Sequence, residues 1–187
     1  LLDRWQQWDF HHFWGIALYG YGGEPTGVPN EAFFPGFPGL LAVGAELGIR
    51  HVVVGLLVSF IAGAVAAVAL ARLGDLDGGV GTGRIAVIMW VFAPAAIFLA
   101  APYTESLFLG LAFPAWLSAR RGRWVYAGLL AAAACTVRGS GAVLALVCAE
   151  RVGDGQVGQH GGEELVVHHR HLKRLLGSAL GCETDTY

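Results

Sequence analysis

The chain has 187 residues, 55% of them hydrophobic and 14% charged, and a mean hydropathy of +0.56. Soluble domains carry about 25% charged residues; this apolar balance excludes disorder, and a net charge of −2 lacks the basic footprint of a nucleic-acid binder. Three scattered cysteines, Cys135, Cys148 and Cys182, give no disulfide framework. A multi-pass membrane protein or a very apolar soluble core remains. The length and number of the apolar runs favour the first, an all-α transmembrane helical fold.

Residues 1–50 are aromatic and rich in Pro and Gly, with Trp5, Trp8, Trp14, Tyr19 and Tyr21 among them. Such rings favour a membrane–water interface, where the ring stays apolar and its N–H or O–H stays wet. No apolar run here reaches spanning length, so the segment reads as an interfacial loop with short helices. Its stretch Ala32-Phe33-Phe34-Pro35-Gly36-Phe37-Pro38 reads as an entry loop, because proline fixes φ and stops helix propagation.

Residues 52–71 contain no charge over 20 positions. A bilayer core of about 30 Å needs about 20 helical residues, so this is a predicted spanning helix. Gly55, Ser59 and Gly63 fall four apart and suggest a close-packing stripe. A second apolar run, 85–102, holds Pro94 and is expected to kink there. A short apolar stretch, 106–118, starts after Glu105; a last run, 125–148, is interrupted only by Arg138.

Arg72 and Arg84 bracket one short loop, and Arg120, Arg121 and Arg123 fill another. The positive-inside rule puts both in the cytoplasm. Residues 85–118 must then cross out and back, which puts residues 1–50 outside and Tyr103 to Ser106 at an outer turn; only Arg4, Arg50 and His51 oppose this. Three regions result: an extracytoplasmic or luminal loop (1–50), a transmembrane helical region (51–149) and a polar tail (150–187). In the tail, Leu172 to Leu180 reads as an amphipathic surface helix, or the tail is the misread end of a reading frame. No signal peptide is visible, and a start at Leu-Leu-Asp without methionine reads as a piece of a longer protein.

The densest polar–aromatic cluster is Trp8-Asp9-Phe10-His11-His12-Phe13. On a helix Asp9, His12 and Phe13 share a face. A carboxylate on an aromatic surface is partly desolvated, which makes it a better proton acceptor for a nucleophilic hydroxyl; the plainer alternative is that Asp9 caps a helix. The adjacent pair His11-His12 diverges by about 100° on a helix and makes a poor metal chelate, and no third ligand at diagnostic spacing accompanies it, so no metal is expected. Arg138 lies about 20 Å along a helix from the cytoplasmic loop. An ionisable group at such depth faces a cavity or a partner. Its partner is a lipid phosphate, which the guanidinium fork suits, or else Glu105.

The segments WDFHHFWGIALYGYGGE (8–24), AFFPGFPGLLAVGAEL (32–47), PAAIFLAAPYTESLFLGLAF (94–113), RGRW (121–124) and VRGSG (137–141) together resemble the PIG-V family of GPI mannosyltransferases, in order and spacing over roughly residues 5–147. The resemblance implies an inverting glycosyltransferase of the GT-C kind, multi-pass in the membrane, with its active site on the non-cytoplasmic side. It implies a polyprenyl- or dolichyl-phosphate mannose donor as substrate, no cofactor, a lipid-linked glycan acceptor, and membrane lipids but no nucleic acid as partners. It carries the base role to Asp9 and substrate contacts to Trp8, His12, Glu24, Glu105 and Arg138. The family follows its arginine with Ser-Asn-Gly, whereas Gly139-Ser140-Gly141 stands here. Heavy use of Ala, Gly, Val and Arg suggests a GC-rich genome and a bacterial-type, truncated homologue. The location would be the plasma membrane in a bacterium and the endoplasmic reticulum in a eukaryote. Two other readings stay open: a non-enzymatic membrane fragment or lipid-binding scaffold, and a transporter whose path is lined by Arg138 and Glu105.

Overall fold

The computed structural model describes residue 5, residues 9–22 and residues 30–147, all within one compact unit of residues 1–148. The expected polar tail, with its Leu172 to Leu180 helix, lies outside the described residues, as do Trp8 and Glu24. Among the described residues there are helices and no strand: α1 (Phe10–Tyr19), α2 (Gly36–Glu46), α3 (His51–Gly78), α4 (Thr82–Val91), α5 (Ile97–Ala100), α6 (Thr104–Arg120), α7 (Trp124–Cys135) and α8 (141–147).

The charge-free run becomes α3, which extends past it to 28 residues, about 42 Å at the usual rise. Apart from Val54, its buried positions Val52, Gly55, Ser59, Ala62, Ala66, Ala69 and Leu73 alternate three and four apart, the spacing of a continuous packing seam. Gly55 and Ser59 belong to this seam and Gly63 does not. Steps of four residues drift about 40° each around a helix, so Gly63 has turned toward an apolar groove. Helix α6 lies against the seam. A Cβ placed on Gly110 would come 2.7 Å from the Ala62 carbonyl oxygen, so glycine there sets how closely the two helices approach.

The next helix crosses α3 as closely. A Cβ on Gly83 would run into the Ala71 backbone carbonyl, and Gly74 faces Gly83 across the contact. Asp75 Oδ1 accepts the N–H groups of Gly81 (3.0 Å) and Gly83 (2.9 Å), satisfying donors that the start of α4 leaves without intrahelical partners. Helices α4 and α5 meet at an angle of 71° around Ala93 and Pro94, the break expected from the proline. Only α3 among the described helices is long and apolar enough to cross a bilayer unaided; α4 and α5 pass as a second if the bent pair counts as one.

The helix ends sort as the arginine pattern requires. Arg120 at the end of α6 pairs with Asp77 at the end of α3 at 2.7 Å, so the turns following these helices share one end. At the opposite end of α6, Glu105 pairs with Arg138 at 2.7 Å.

Two expectations need correction. The Pro35 and Pro38 segment is not an entry loop: it opens α2, with Pro35 at the N-cap and Pro38 in the first turn. A first-turn residue has no intrahelical N–H bond to lose, so proline is tolerated there. The run 125–148 is not one helix. It breaks at Thr136–Ser140, where Thr136 Oγ1 donates back to the Ala133 carbonyl and the Gly141 N–H to the Arg138 carbonyl. A Cβ on Gly141 would come 2.5 Å from the Cys135 nitrogen. Arg138 therefore stands in a turn at the helix end, not deep along a spanning helix.

The described part of residues 1–50 contains short helices, as expected, here α1 and α2, but its aromatics divide. Phe10, Phe13 and Phe37 are buried with Leu41, Val52 and Tyr103 in one core, while Trp5, Tyr19, Tyr21 and Phe34 are exposed. Phe13 meets Phe33 and Phe37 edge-on at 5.3 and 5.2 Å, and His51 stacks on Trp14 at 4.1 Å.

Close helix approach gives a direct test. Gly83→Ala should destabilise by about 1–3 kcal/mol, the usual cost of overpacking. Gly128→Ala, with nothing within 4 Å of its new Cβ, should be neutral or stabilising by up to about 1 kcal/mol. Thermal unfolding of the two variants in one detergent checks the contrast.

Candidate active site

Four separate stretches of chain meet at the Glu105 end. Helix α1 brings Asp9, its N-cap residue; the segment before α2 brings Phe33 and Phe34; the turn before α6 and its first residues bring Tyr103, Thr104 and Glu105; the turn after α7 brings Arg138 and Gly139. Together they line a cavity of about 230 Å³.

Local chemistry fixes each stretch. Helix α1 buries Phe10, Phe13 and Ile16 on one face and stops at Gly20, whose φ of 69° takes the left-handed form. The Tyr21 hydroxyl donates to the Phe33 carbonyl at 2.7 Å, tying the end of α1 to the segment before α2; partial desolvation raises the pKa of this otherwise exposed tyrosine. The Gly36 N–H donates to the Thr136 carbonyl at 2.7 Å. A Cβ on Gly36 would come 2.7 Å from Thr136 Oγ1, so this glycine lets α2 dock on the turn that carries Arg138. Ser106 Oγ donates to the Leu99 carbonyl at 2.7 Å and locks the turn between α5 and α6.

Asp9 occupies the N-cap position of α1, but its side chain makes no capping bond. It is exposed, not desolvated as its aromatic neighbours suggested, because Phe10 and Phe13 turn into the core beside it. Asp9 lines the cavity. Glu105 sits in the first turn of α6, where the helix dipole favours a negative charge. Arg138 Nη1 donates to Glu105 Oε1 at 2.7 Å, with the two side chains 43% and 35% exposed. A guanidinium carries five N–H donors, so this bond leaves capacity for an anion in the cavity.

His12 does not line the cavity. It stacks on the cavity residue Phe33 at 5.0 Å and 13°, with Nδ1 buried and without a hydrogen-bond partner. Of the six residues singled out from sequence, the structure thus gathers Asp9, Glu105 and Arg138, sets His12 one layer behind, and does not describe Trp8 or Glu24. Sequence reasoning missed Tyr103, Phe33 and Phe34 as cavity residues. The signal for Tyr103 was its place between an apolar run and Thr104-Glu105: a phenol at the mouth of a helix, next to a carboxylate.

Residues 1–155 match the family described as mannosyltransferase (PIG-V). A GPI alpha-1,6-mannosyltransferase 2 from Cricetulus griseus is 41% identical over 154 residues, and its Homo sapiens counterpart 40%; each match covers 76% of this chain and 30% of the relative. A GPI mannosyltransferase 2 from Yarrowia lipolytica is 44% identical over 54 residues, or 29% of this chain and 15% of that protein. The chain thus spans about 30% of the length of the mammalian relatives it matches. No solved structure matches it. A family match over most of the chain makes the chain a member of the PIG-V mannosyltransferase family.

Proposed function

We propose that this chain carries the catalytic segment of a multi-pass membrane mannosyltransferase of the GT-C kind. It transfers mannose from a polyprenyl- or dolichyl-phosphate donor to a lipid-linked glycan in GPI-anchor biosynthesis, in the endoplasmic reticulum of a eukaryote. The observation that carries this reading is the cavity, in which Asp9, Glu105 and Arg138 converge at the helix ends away from the arginine-rich turns. Its volume of about 230 Å³ suits one sugar unit. The positive-inside rule puts such a cavity on the luminal face. A band of exposed apolar side chains, including Phe60, Ile61, Met89 and Phe92, runs along α3 and α4, as a lipid-facing surface requires.

Asp9 takes the proton of the acceptor hydroxyl. The hydroxyl oxygen attacks the anomeric carbon from the side opposite the phosphate, the bond from that carbon to the phosphate oxygen breaks, and its electron pair leaves with the lipid phosphate. One base suffices for inversion, unlike the two-carboxylate retaining arrangement. Arg138 stabilises the charge that develops on the phosphate, and Glu105 holds the guanidinium in place. The polyprenyl chain lies in the apolar groove of about 430 Å³ between α3 and the bent α4–α5 pair. That groove reaches Leu99 and Ala100, next to the turn that bears Tyr103.

In the full-length protein, Asp9→Asn should abolish transfer while the protein remains folded in the membrane; near-normal turnover would remove Asp9 from the mechanism. Arg138→Lys should weaken donor use, because a point charge replaces a planar fork. Arg138→Ala should cost about 2–4 kcal/mol of transition-state stabilisation, read as kcat/KM for the donor with acceptor affinity nearly unchanged.

The Arg138–Glu105 bond supports a second reading of Arg138, as a purely structural partner. Single substitutions at either position would then lower protein yield, and the charge-swapped double mutant would restore both yield and transfer. A swapped protein with full yield and no transfer favours the phosphate role.

A further inference from the structure

Five arginines stand at the end of the helices opposite the cavity, within residues 72–84 and 120–123, and the proposed transfer uses none of them. As a helix, the charge-free run 52–71 is about 30 Å long, the thickness of a bilayer core. Arg72 is the first charge after that run, and α3 continues past it to Gly78, so this end reaches headgroup depth. Arg84 follows Gly83, which packs on the backbone of Ala71, next to Arg72. Arg120 pairs with Asp77, and a tight turn then presents Arg121 and Arg123. The Gly122 N–H closes that turn on the Ala119 carbonyl and the Arg123 N–H on the Ser118 carbonyl, with Gly122 at a φ of 71°, as in a left-handed helix cap.

The acidic side chains of residues 72–84 are already engaged. Asp77 bonds Arg120, and Asp75 accepts the Gly81 and Gly83 N–H groups. Among the described residues, the exposed side chains of Arg72, Arg84 and Arg121 make no ion pair and no hydrogen bond. Arg123 lies over the Tyr126 ring, 4.4 Å from its centroid, which orients the guanidinium without using its N–H donors. Exposed apolar groups stand among these cations: Leu76 on α3, Val80 in the turn after it and Tyr126 on α7. A soluble acidic partner would match the charges and not these groups, whereas a lipid surface matches both. We propose that this end of the helices binds anionic lipid headgroups, with Arg72, Arg84 and Arg121 as the cations that hold them and Val80 and Tyr126 seated where headgroups meet acyl chains. This rests on the membrane reading above and concerns the leaflet opposite the cavity. The guanidinium fork takes two phosphate oxygens, and the net charge of an anionic headgroup balances the arginines that the two engaged aspartates do not.

The test uses the full-length protein reconstituted in phosphatidylcholine vesicles that carry a trace of spin-labelled phosphatidylserine or spin-labelled phosphatidylcholine. The motionally restricted fraction of each label gives its relative association with the protein. At low salt phosphatidylserine should associate about fivefold more strongly, or better, since each arginine near the surface contributes about that much attraction. Salt at about 1 M should bring the ratio close to one, because the screening length falls to about 3 Å. Arg84→Gln combined with Arg121→Gln should lower the low-salt ratio by about threefold or more, with the unfolding temperature unchanged. Arg84→Lys combined with Arg121→Lys should keep it within about twofold, because the attraction is mainly one of charge. If the double glutamine variant fails to fold, each single substitution is read in the same way, with a smaller loss expected. Equal association of the two lipids at low salt, or a ratio that survives the glutamine substitutions in folded protein, overturns the proposal. So does a preference abolished by millimolar inorganic phosphate at matched ionic strength, which marks a site for free phosphate. Protein that stays outside the vesicles overturns the membrane reading and this proposal with it; inserted protein without a lipid preference overturns this proposal alone.

Discussion

The distance between helix backbones is the constraint on which this unit depends. Helix α6 reaches the α3 seam because Gly110 has no side chain against the Ala62 carbonyl, and α4 reaches it because Gly83 has none against Ala71. Apolar surroundings provide little hydrophobic drive between helices, so association there relies on close contact of small residues. With α6 fixed against α3, its two ends are fixed as well. One carries the Arg120–Asp77 pair, the other the Glu105–Arg138 pair. The cavity exists at the second end because α1, the segment before α2, and the turn after α7 all dock there.

Most of the architecture was legible in patterns with a long physical reach. A charge-free run of 20 residues admits little except a buried or spanning helix, and α3 forms on it. The break near Pro94 follows from a missing backbone donor. The shared end of the two arginine turns followed from charge counting, and the Asp77–Arg120 pair matches it. What the pattern hid was local. Proline stops a helix that reaches it but opens one that starts there, and the residues Pro35-Gly36-Phe37-Pro38 look alike in both cases. The turn at Thr136–Ser140 is set by back-bonds from Thr136 and Gly141 within a run of unbroken hydropathy.

The site was legible as a set of residue types and not as a constellation. Asp9, Glu105 and Arg138 stood out because charges are sparse in so apolar a chain, yet 33 positions separate Glu105 from Arg138 and no periodicity links them. Phe33 and Phe34 were invisible for the opposite reason, and Tyr103 was marked only by its place beside Thr104-Glu105. Aromatic rings abound in this chain, and nothing in the sequence says which ring turns its edge to a cavity. The aromatics of residues 1–50 show the same limit: composition cannot separate the buried Phe10 and Phe37 from the exposed Tyr19 and Phe34.

The position of Arg138 in a turn changes the energetics of its role. Deep along a spanning helix an arginine costs several kcal/mol and must be neutralised by whatever partner it finds. At the end of α7, with 43% of its side chain exposed, that penalty is small, and the Glu105 bond is of the partly solvated kind, worth about 0–1 kcal/mol. Such a pair is too weak to explain the placement of two charges as a staple for the fold. It is well suited to holding a guanidinium in register while leaving it free to exchange or share its partner. The phosphodiester of the proposed donor carries one negative charge, as a carboxylate does, and offers the same two-oxygen face to the fork; the monoester that leaves carries more. In the proposed transfer, Arg138 gains a stronger partner as charge develops on the leaving phosphate, without first being pulled from a deep well, and Glu105 remains its partner once the phosphate has left. Among the described residues of the cavity Arg138 is the one cation, and the fold keeps it available at low cost, as the proposed release of an anionic leaving group requires.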